Sequence, residues 1–148
     1  MALVVNFRYL NGLTQSQTIG ISITFRNFKQ RTTQITGTGN LYIGQQFEWP
    51  LGRKIEYDDV LHIRIKSSSK LKSHKIIGEL DKKLDALLNQ NRLKCSELVK
   101  TRLIEDKLKL EFEVIYYAPG AEFRDWKREE ALKEGLIDEK MIYEDESM

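Results

Sequence analysis

The stretch DVLHIRIKSSSKLKSHKIIGEL, Asp59 to Leu80, decides the fold. Leu61, Ile63 and Ile65 alternate with His62, Arg64 and Lys66, which is the period of a strand with one buried face. A polar run follows, and then an apolar pair, Ile76 and Ile77, with Gly78 and Glu79 behind it. The glycine lets the chain turn into a second strand. The segment therefore reads as two strands joined by a loop, and from Lys66 to Lys75 that loop holds four lysines, a histidine and no acid. Loops carry function more often than cores do.

Working outward, the same alternation recurs. Ala2 to Leu10 places Leu3, Val5, Phe7 and Tyr9 on one face. After a polar loop, NGLTQSQT, the run IGISITF puts Ile19, Ile21, Ile23 and Phe25 on one side and small or polar residues on the other. RNFKQRTTQI contains a turn near Asn27 and a further basic strand. TGTGN is read as a loop, and QFEWPL as a short strand stopped by Pro50. In LDKKLDALLNQN, Leu80, Leu84, Leu87 and Leu88 recur at i, i+4, i+7 and i+8, the stripe of a short amphipathic helix. RLKCSELV is a strand. KLKLEFEVIYY is the strongest one, with Leu108, Leu110, Phe112, Val114 and Tyr116 inward. Pro119 and Gly120 close the unit. Short strands, one helix and polar loops predict an all-β, antiparallel β-sandwich. Its boundaries are 1–118, followed by an acidic C-terminal helix and linker, 119–148. In that helix Phe123 and Trp126 stand three residues apart, either packed on the sandwich or facing a partner.

Composition fits one domain: 148 residues, 41% apolar and 31% charged. No run approaches the roughly 18 apolar residues of a membrane span. MALVVNFRYLNGL lacks the basic region of a signal peptide. Cys95 is the only cysteine, which excludes an internal disulfide and a cysteine-based zinc site. These features predict a cytoplasmic setting. Charge is unevenly spread. Residues 119 to 148 hold ten acids against five bases, net −5, and the total of +2 leaves +7 for residues 1 to 118. No acid precedes Glu48, whereas Arg8, Arg26, Lys29 and Arg31 do. A basic body predicts an anionic partner.

With strands and loops in place, the opening stretch resembles the third top loop of a C2 domain. Calcium-binding members carry Asp-x-Asp after the strand, a further Asp, and then I-G-E. Here Ser67 and Ser69 stand for the first two acids and Lys75 for the third, ahead of Ile76, Ile77, Gly78 and Glu79. KQRTTQITGTGNLYIGQQFEWPL is similar to the passage that runs K-R-T-x-x-I, N-P-x-W-N-E and F-x-W in relatives. Asn40, Phe47, Glu48 and Trp49 match; Leu41, Ile43, Gly44 and Gln45 depart. FEW, a start at MALVV and a helix after the I-G-E strand resemble, more narrowly, the first C2 domain of the ferlins, nearest to their otoferlin-like members. The likeness covers residues 2 to 118. It implies an eight-stranded C2-type sandwich, cytoplasmic and peripheral at membranes, within a longer membrane-anchored chain of C2 domains used in vesicle fusion or membrane repair.

For calcium, the resemblance places the first-loop positions near Gln17 and Thr18 and the third-loop ones at Ser67, Ser69 and Lys75. Ca²⁺ takes six to eight oxygens, several from carboxylates, and none of these five side chains is one. An ammonium at ~4 Å from a doubly charged ion, at an effective dielectric of ~20, costs roughly 8 kcal/mol. The expectation is a calcium-independent domain with no metal or other cofactor. Lys66, Lys70, Lys72, His74 and Lys75 can instead meet anionic headgroups directly, with Leu71 dipping among them; the alternative is a merely solvated loop. Lys29 and Arg31 on one strand and His62 and Arg64 on another form a second basic surface if their strands are neighbours, and otherwise an ordinary outward face. Trp49, Tyr116, Phe112 and Phe47 read as core.

Catalysis finds no support. His62 and His74 lack a nucleophile and an orienting acid in a shared motif, and GTGN opens no phosphate-binding helix. Nucleic acid is disfavoured, since no exposed aromatics alternate with the bases. Two readings stand: weak docking on an anionic phospholipid membrane, or an interaction module for an acidic protein segment or another C2 domain of its own chain.

Overall fold

The computed structural model describes residues 1–69, 72–101 and 107–119, with side chains left out at Ser69 and 72–74. The two ends of one strand organise everything else. β1 runs from Ala2 to Phe25 without interruption. β2 (Phe28–Arg31), β3 (Ile35–Pro50), β4 (Val60–Ser69), β5 (Lys72–Lys83), β6 (Arg92–Leu98), β7 (Lys100–Thr101) and β8 (Lys109–Tyr117) complete the chain. The first half of β1 lies between β8 and the end of β3, and β6 follows β8. Its second half lies between β2 and β4, with β5 and β7 beyond. One strand thus belongs to both layers, and the all-β, eight-stranded antiparallel sandwich is nearly closed into a barrel.

Inward alternation behaves as the sequence predicts except at Tyr9, which a register shift after Phe7 leaves 40% exposed. Leu3, Val5 and Phe7, then Ile19 to Phe25 at every second residue, meet Leu61, Ile63, Ile65, Leu110, Phe112 and Val114 in one buried cluster. Burying each such side chain contributes about 1.5–3 kcal/mol. Phe7 packs edge-on against Phe47 and Phe25 against Trp49. Trp49 keeps its polar end satisfied by donating Nε1–H to the Phe28 carbonyl at 3.1 Å. The turn near Asn27 is present: Arg26 and Asn27 take φ of 47° and 69°, the left-handed pair that suits a two-residue hairpin.

Three expectations are corrected. NGLTQSQT is not a loop between two strands but the middle of β1. Its pairing with β3 shifts register between Leu10 and Leu13 and between Leu13 and Gln17. Thr14, Gln15 and Ser16, exposed in that gap, satisfy their polarity with water while the backbone continues. Gly12 makes the passage possible. It takes φ of +100°, and a Cβ there would stand 2.1 Å from the Lys107 carbonyl oxygen. TGTGN likewise lies inside β3, with Gly39 in the left-handed region. Finally, the short helix expected within 80 to 91 is present but shorter than its leucine stripe. β5 continues to Lys83, where it pairs with Val60, and a short 3₁₀ helix, Asp85–Leu88, follows. Leu84 and Leu87 are buried as the stripe requires, but Leu80 belongs to the strand and Leu88 is exposed. The β4 ladder offers hydrogen bonds to every second backbone group, and it overrides a weak local helix preference.

The β1–β2 turn is fastened by a partly buried ion pair. Arg26 donates from Nη2 to Asp59 Oδ2 at 2.7 Å and from Nε to Oδ1 at 3.1 Å. It also donates to the carbonyls of Arg53 and Lys54. Asp59 accepts from the Glu56 N–H at 2.8 Å. Burial, the largest influence, pushes the Asp59 carboxyl up, but the hydrogen bonds from Arg26 and Glu56 outweigh it and hold the group below its ordinary value.

Candidate functional site: a basic sheet face

Alternation along β1 sends Ile19, Ile21 and Ile23 inward, so Gly20, Ser22 and Thr24 face out. These small residues form the floor of a trough. The walls come from the strands on either side. Ser22 pairs with Arg31 of β2 and with Arg64 of β4. Thr24 pairs with Lys29 and His62 in the same way, and Gly20 pairs with Lys66. Side chains directly across a ladder lie about 5 Å apart at Cβ. The two basic strands are therefore not paired with each other; β1 lies between them and brings both to one surface.

Lys29, Arg31, His62 and Arg64 thus stand in rows across β1, with Lys66 one row further on. Lys29 registers the crowding. Its ammonium is pushed below its ordinary value, first by Lys66, then by slight burial, then by Arg31 and Arg64. Beside it lies a cavity of about 170 Å³ lined by Gly20, Ser22, Arg31, Thr32, Gln34 and Lys66, among others. A Cβ added at Gly20 would meet nothing within 4 Å, so the floor is open there. Thr32 is fixed at its rim, with Oγ1 accepting the Ile21 N–H at 2.9 Å. Thr32, Gln34 and the small floor residues were not singled out in the sequence. Gly20, Ser22 and Thr24 in strict alternation with isoleucine were the available signal.

On the far wall the charge is partly cancelled. His62 Nδ1 lies 2.8 Å from Asp81 Oδ1, and Arg64 Nε lies 3.9 Å from Glu79 Oε1. Among the described residues no carboxylate pairs with Lys29, Arg31 or Lys66. An anion is attracted to the β2 side and the Lys66 end.

The positions expected from the calcium-binding resemblance also come together. Thr18 pairs with Ser68, and Lys75 with Ser67, at one end of the sandwich. Thr18 Oγ1 and Thr36 Oγ1 share a hydrogen bond of 2.8 Å. Gln17 is next to them, opposite Gly37. Lys75 is exposed and projects from the same end as Lys66. Among the described residues no three His, Cys, Asp or Glu side chains are grouped to hold a metal. Lys70 and Leu71, and the side chains of Ser69, Lys72 and His74, lie outside the described residues, as does the segment with Phe123 and Trp126.

Cys95 is buried in the core, and burial raises its thiol to about 11, which keeps it protonated and unreactive. Among the described residues no helix is long and apolar enough to cross a membrane.

No protein-family profile matches the chain. Among curated proteins it is 28% identical over 131 residues to Fer-1-like protein 4 of Mus musculus, covering 88% of this chain and 7% of that one. The chain therefore spans about 7% of that relative's length. A solved structure of CC2D1B superposes with a TM-score of 0.68 at 16% identity, over 78% of this chain and 54% of that one. The C2A domain of plant extended synaptotagmin 1 gives a TM-score of 0.63 at 13% identity, over 79% and 95%. Such likenesses show the fold: this is a C2-type sandwich, with a partial sequence likeness to a ferlin-family protein.

Proposed function

We propose that this chain is a calcium-independent C2 module, the first of a ferlin-like membrane-trafficking protein nearest to the otoferlin-like members. It docks weakly on the anionic cytoplasmic leaflet. The observation that carries the reading is the gathering of Lys29, Arg31, Arg64 and Lys66 on one face, close enough that three of them depress the fourth. Lys66 ends that face where the Lys66–Lys75 loop begins, and in the proposed contact Lys70, Leu71, Lys72, His74 and the exposed Lys75 complete it.

Magnitudes set the strength. A basic residue held near an anionic leaflet contributes about 1 kcal/mol. Lys29, Arg31, Arg64 and Lys66 together supply about 4 kcal/mol, the strength of a millimolar complex. Alone the domain touches and leaves; linked to further membrane-binding modules it adds by effective concentration.

One observation favours a protein partner instead. Asp81 and Glu79 are interleaved with His62 and Arg64, and a uniformly anionic surface meets them unfavourably. An acidic segment or a neighbouring C2 domain can place its charges selectively. Co-sedimentation with vesicles decides the matter. Binding to vesicles containing phosphatidylserine, lost on neutral phosphatidylcholine and weakened by high salt, supports membrane docking. Absence of sedimentation with either composition at low salt overturns it and leaves the protein-partner reading.

A further inference from the structure

The other layer presents an outer face too, and its burial is out of pattern. Outward residues of a solvated sheet are polar and exposed. Across β3, β1, β8 and β6 one such row reads Glu48, Val4, Ile115 and Arg92, and the next reads Gln46, Asn6, Glu113 and Lys94. Val4 is 1% exposed, Ile115 8% and Glu113 2%. Yet Val4 and Ile115 stand outside the cluster that fills the sandwich. Their chain neighbours Leu3 and Tyr116, which pair with each other in the next row, are the ones turned inward. Arg8 and Arg92 lie against Glu113, at 3.3 and 3.1 Å.

Chain continuity names the occupant. β8 ends at Tyr117 on this layer, and Pro119 turns the chain immediately afterwards. The next residues, AEFRDWKREEALKE (121–134), carry Phe123 and Trp126 at i, i+3. As a helix, 14 residues extend about 21 Å, enough to cross four strands spaced about 4.8 Å apart. A helix laid on the outer face of a sheet is an ordinary layer arrangement.

We propose that residues 121–134 dock on the outer face of the β3–β1–β8–β6 layer, with Phe123 and Trp126 covering Val4 and Ile115. The folded unit then extends past 118, and the acidic tail leaves from the side away from the basic trough.

Trypsin tests this on the full chain, because Arg124, Lys127, Arg128 and Lys133 provide cleavage sites within the segment. Docking predicts cleavage there at least tenfold slower than in a peptide of residues 119–148. A Phe123→Ala, Trp126→Ala double substitution returns it to the peptide's rate while the sandwich stays folded by circular dichroism. Val4→Arg, made separately, does the same from the other side of the contact. Cleavage of the unsubstituted chain at the peptide's rate overturns the proposal. Protection that appears only as protein concentration rises, with a dimer in sedimentation, also overturns it, since a second copy then covers the face.

Discussion

Arg26 and Arg31 are separated by little more than one short strand, and their surroundings are opposite. Arg26 is partly buried against Asp59 and two carbonyls, four of its five N–H donors engaged. Arg31 stands exposed at the end of β2, with Lys29 and Lys66 as its charged company and no carboxylate partner among the described residues. The same side chain is a structural fastener in one place and an unspent positive charge in the other. Neighbouring strands decide which. The β3–β4 connection brings Asp59 and two carbonyls to Arg26, whereas β1 offers Arg31 only Ser22. A paired buried charge is needed for stability once its partner is there. An unpaired cluster on a solvated face costs a little repulsion and is free to meet an anion.

The sharpest break in that comparison comes from Asp59→Ala. It leaves the partly buried Arg26 without its counter-charge, and such losses cost about 3–5 kcal/mol. Urea unfolding is the measurement, and a loss under about 1 kcal/mol removes the ion pair from its structural role. The pair also sets an acid limit. The Asp59 carboxyl is held below its ordinary value near 3.8. Its contribution is complete above that pH and disappears as pH falls through the lower folded value, because the unfolded chain takes up the proton first. Stability therefore drops with acid below about pH 4 more steeply in the unsubstituted chain than in Asp59→Ala. Parallel acid profiles contradict this.

How much of this arrangement the sequence discloses depends on range. Alternation at Ile19–Phe25, Leu61–Ile65 and Leu108–Tyr116 is local, and every inward residue it predicts in those runs is buried. The polar run NGLTQSQT is equally local but misleading. A polar strand crossing between layers has the composition of a loop, and only the β3 ladder and Gly12 against Lys107 reveal it. The leucine stripe at 80–88 overstates its helix for the same reason, since Leu84 and Leu87 suit a 3₁₀ turn as well as a longer helix. For the site, alternation alone places His62 and Arg64 outward. That they share a surface with Lys29 and Arg31 is a matter of register across β1, which no single strand encodes.

An intermediate effect tests the exposed side of the comparison. Arg31→Glu combined with Lys66→Glu replaces two attractions with two repulsions. Partition onto phosphatidylserine vesicles falls by roughly 2 kcal/mol or more, about 30-fold. Unfolding free energy changes by less than about 0.5 kcal/mol, as for most surface substitutions. Lys83→Glu with Lys109→Glu is the matched control, since both residues are exposed and away from the trough. Lys82 does not serve, because Glu97 holds its ammonium at 2.8 Å. Equal losses in the two double variants mean a diffuse charge effect and dissolve the distinction between the trough and the rest of the surface.

The smallest expected effect is none at all, and it concerns calcium. Thr18, Ser67 and Lys75 share one end of the sandwich with Gln17. These positions offer hydroxyls, an amide and an ammonium where an ion needs carboxylates. The exposed ammonium of Lys75 also lies opposite Ser67, at the spot a divalent cation would approach. A ligand at 100 times its dissociation constant adds about 2.7 kcal/mol, which moves the melting temperature of a domain this size by several degrees. Melting in millimolar Ca²⁺ should match melting in Mg²⁺ within about one degree, and chelators should leave vesicle binding unchanged. A Ca²⁺-specific rise of several degrees would show ligands supplied from outside these five positions. Membrane docking would then have to be rebuilt around an ion, with the basic trough reduced to a secondary contact.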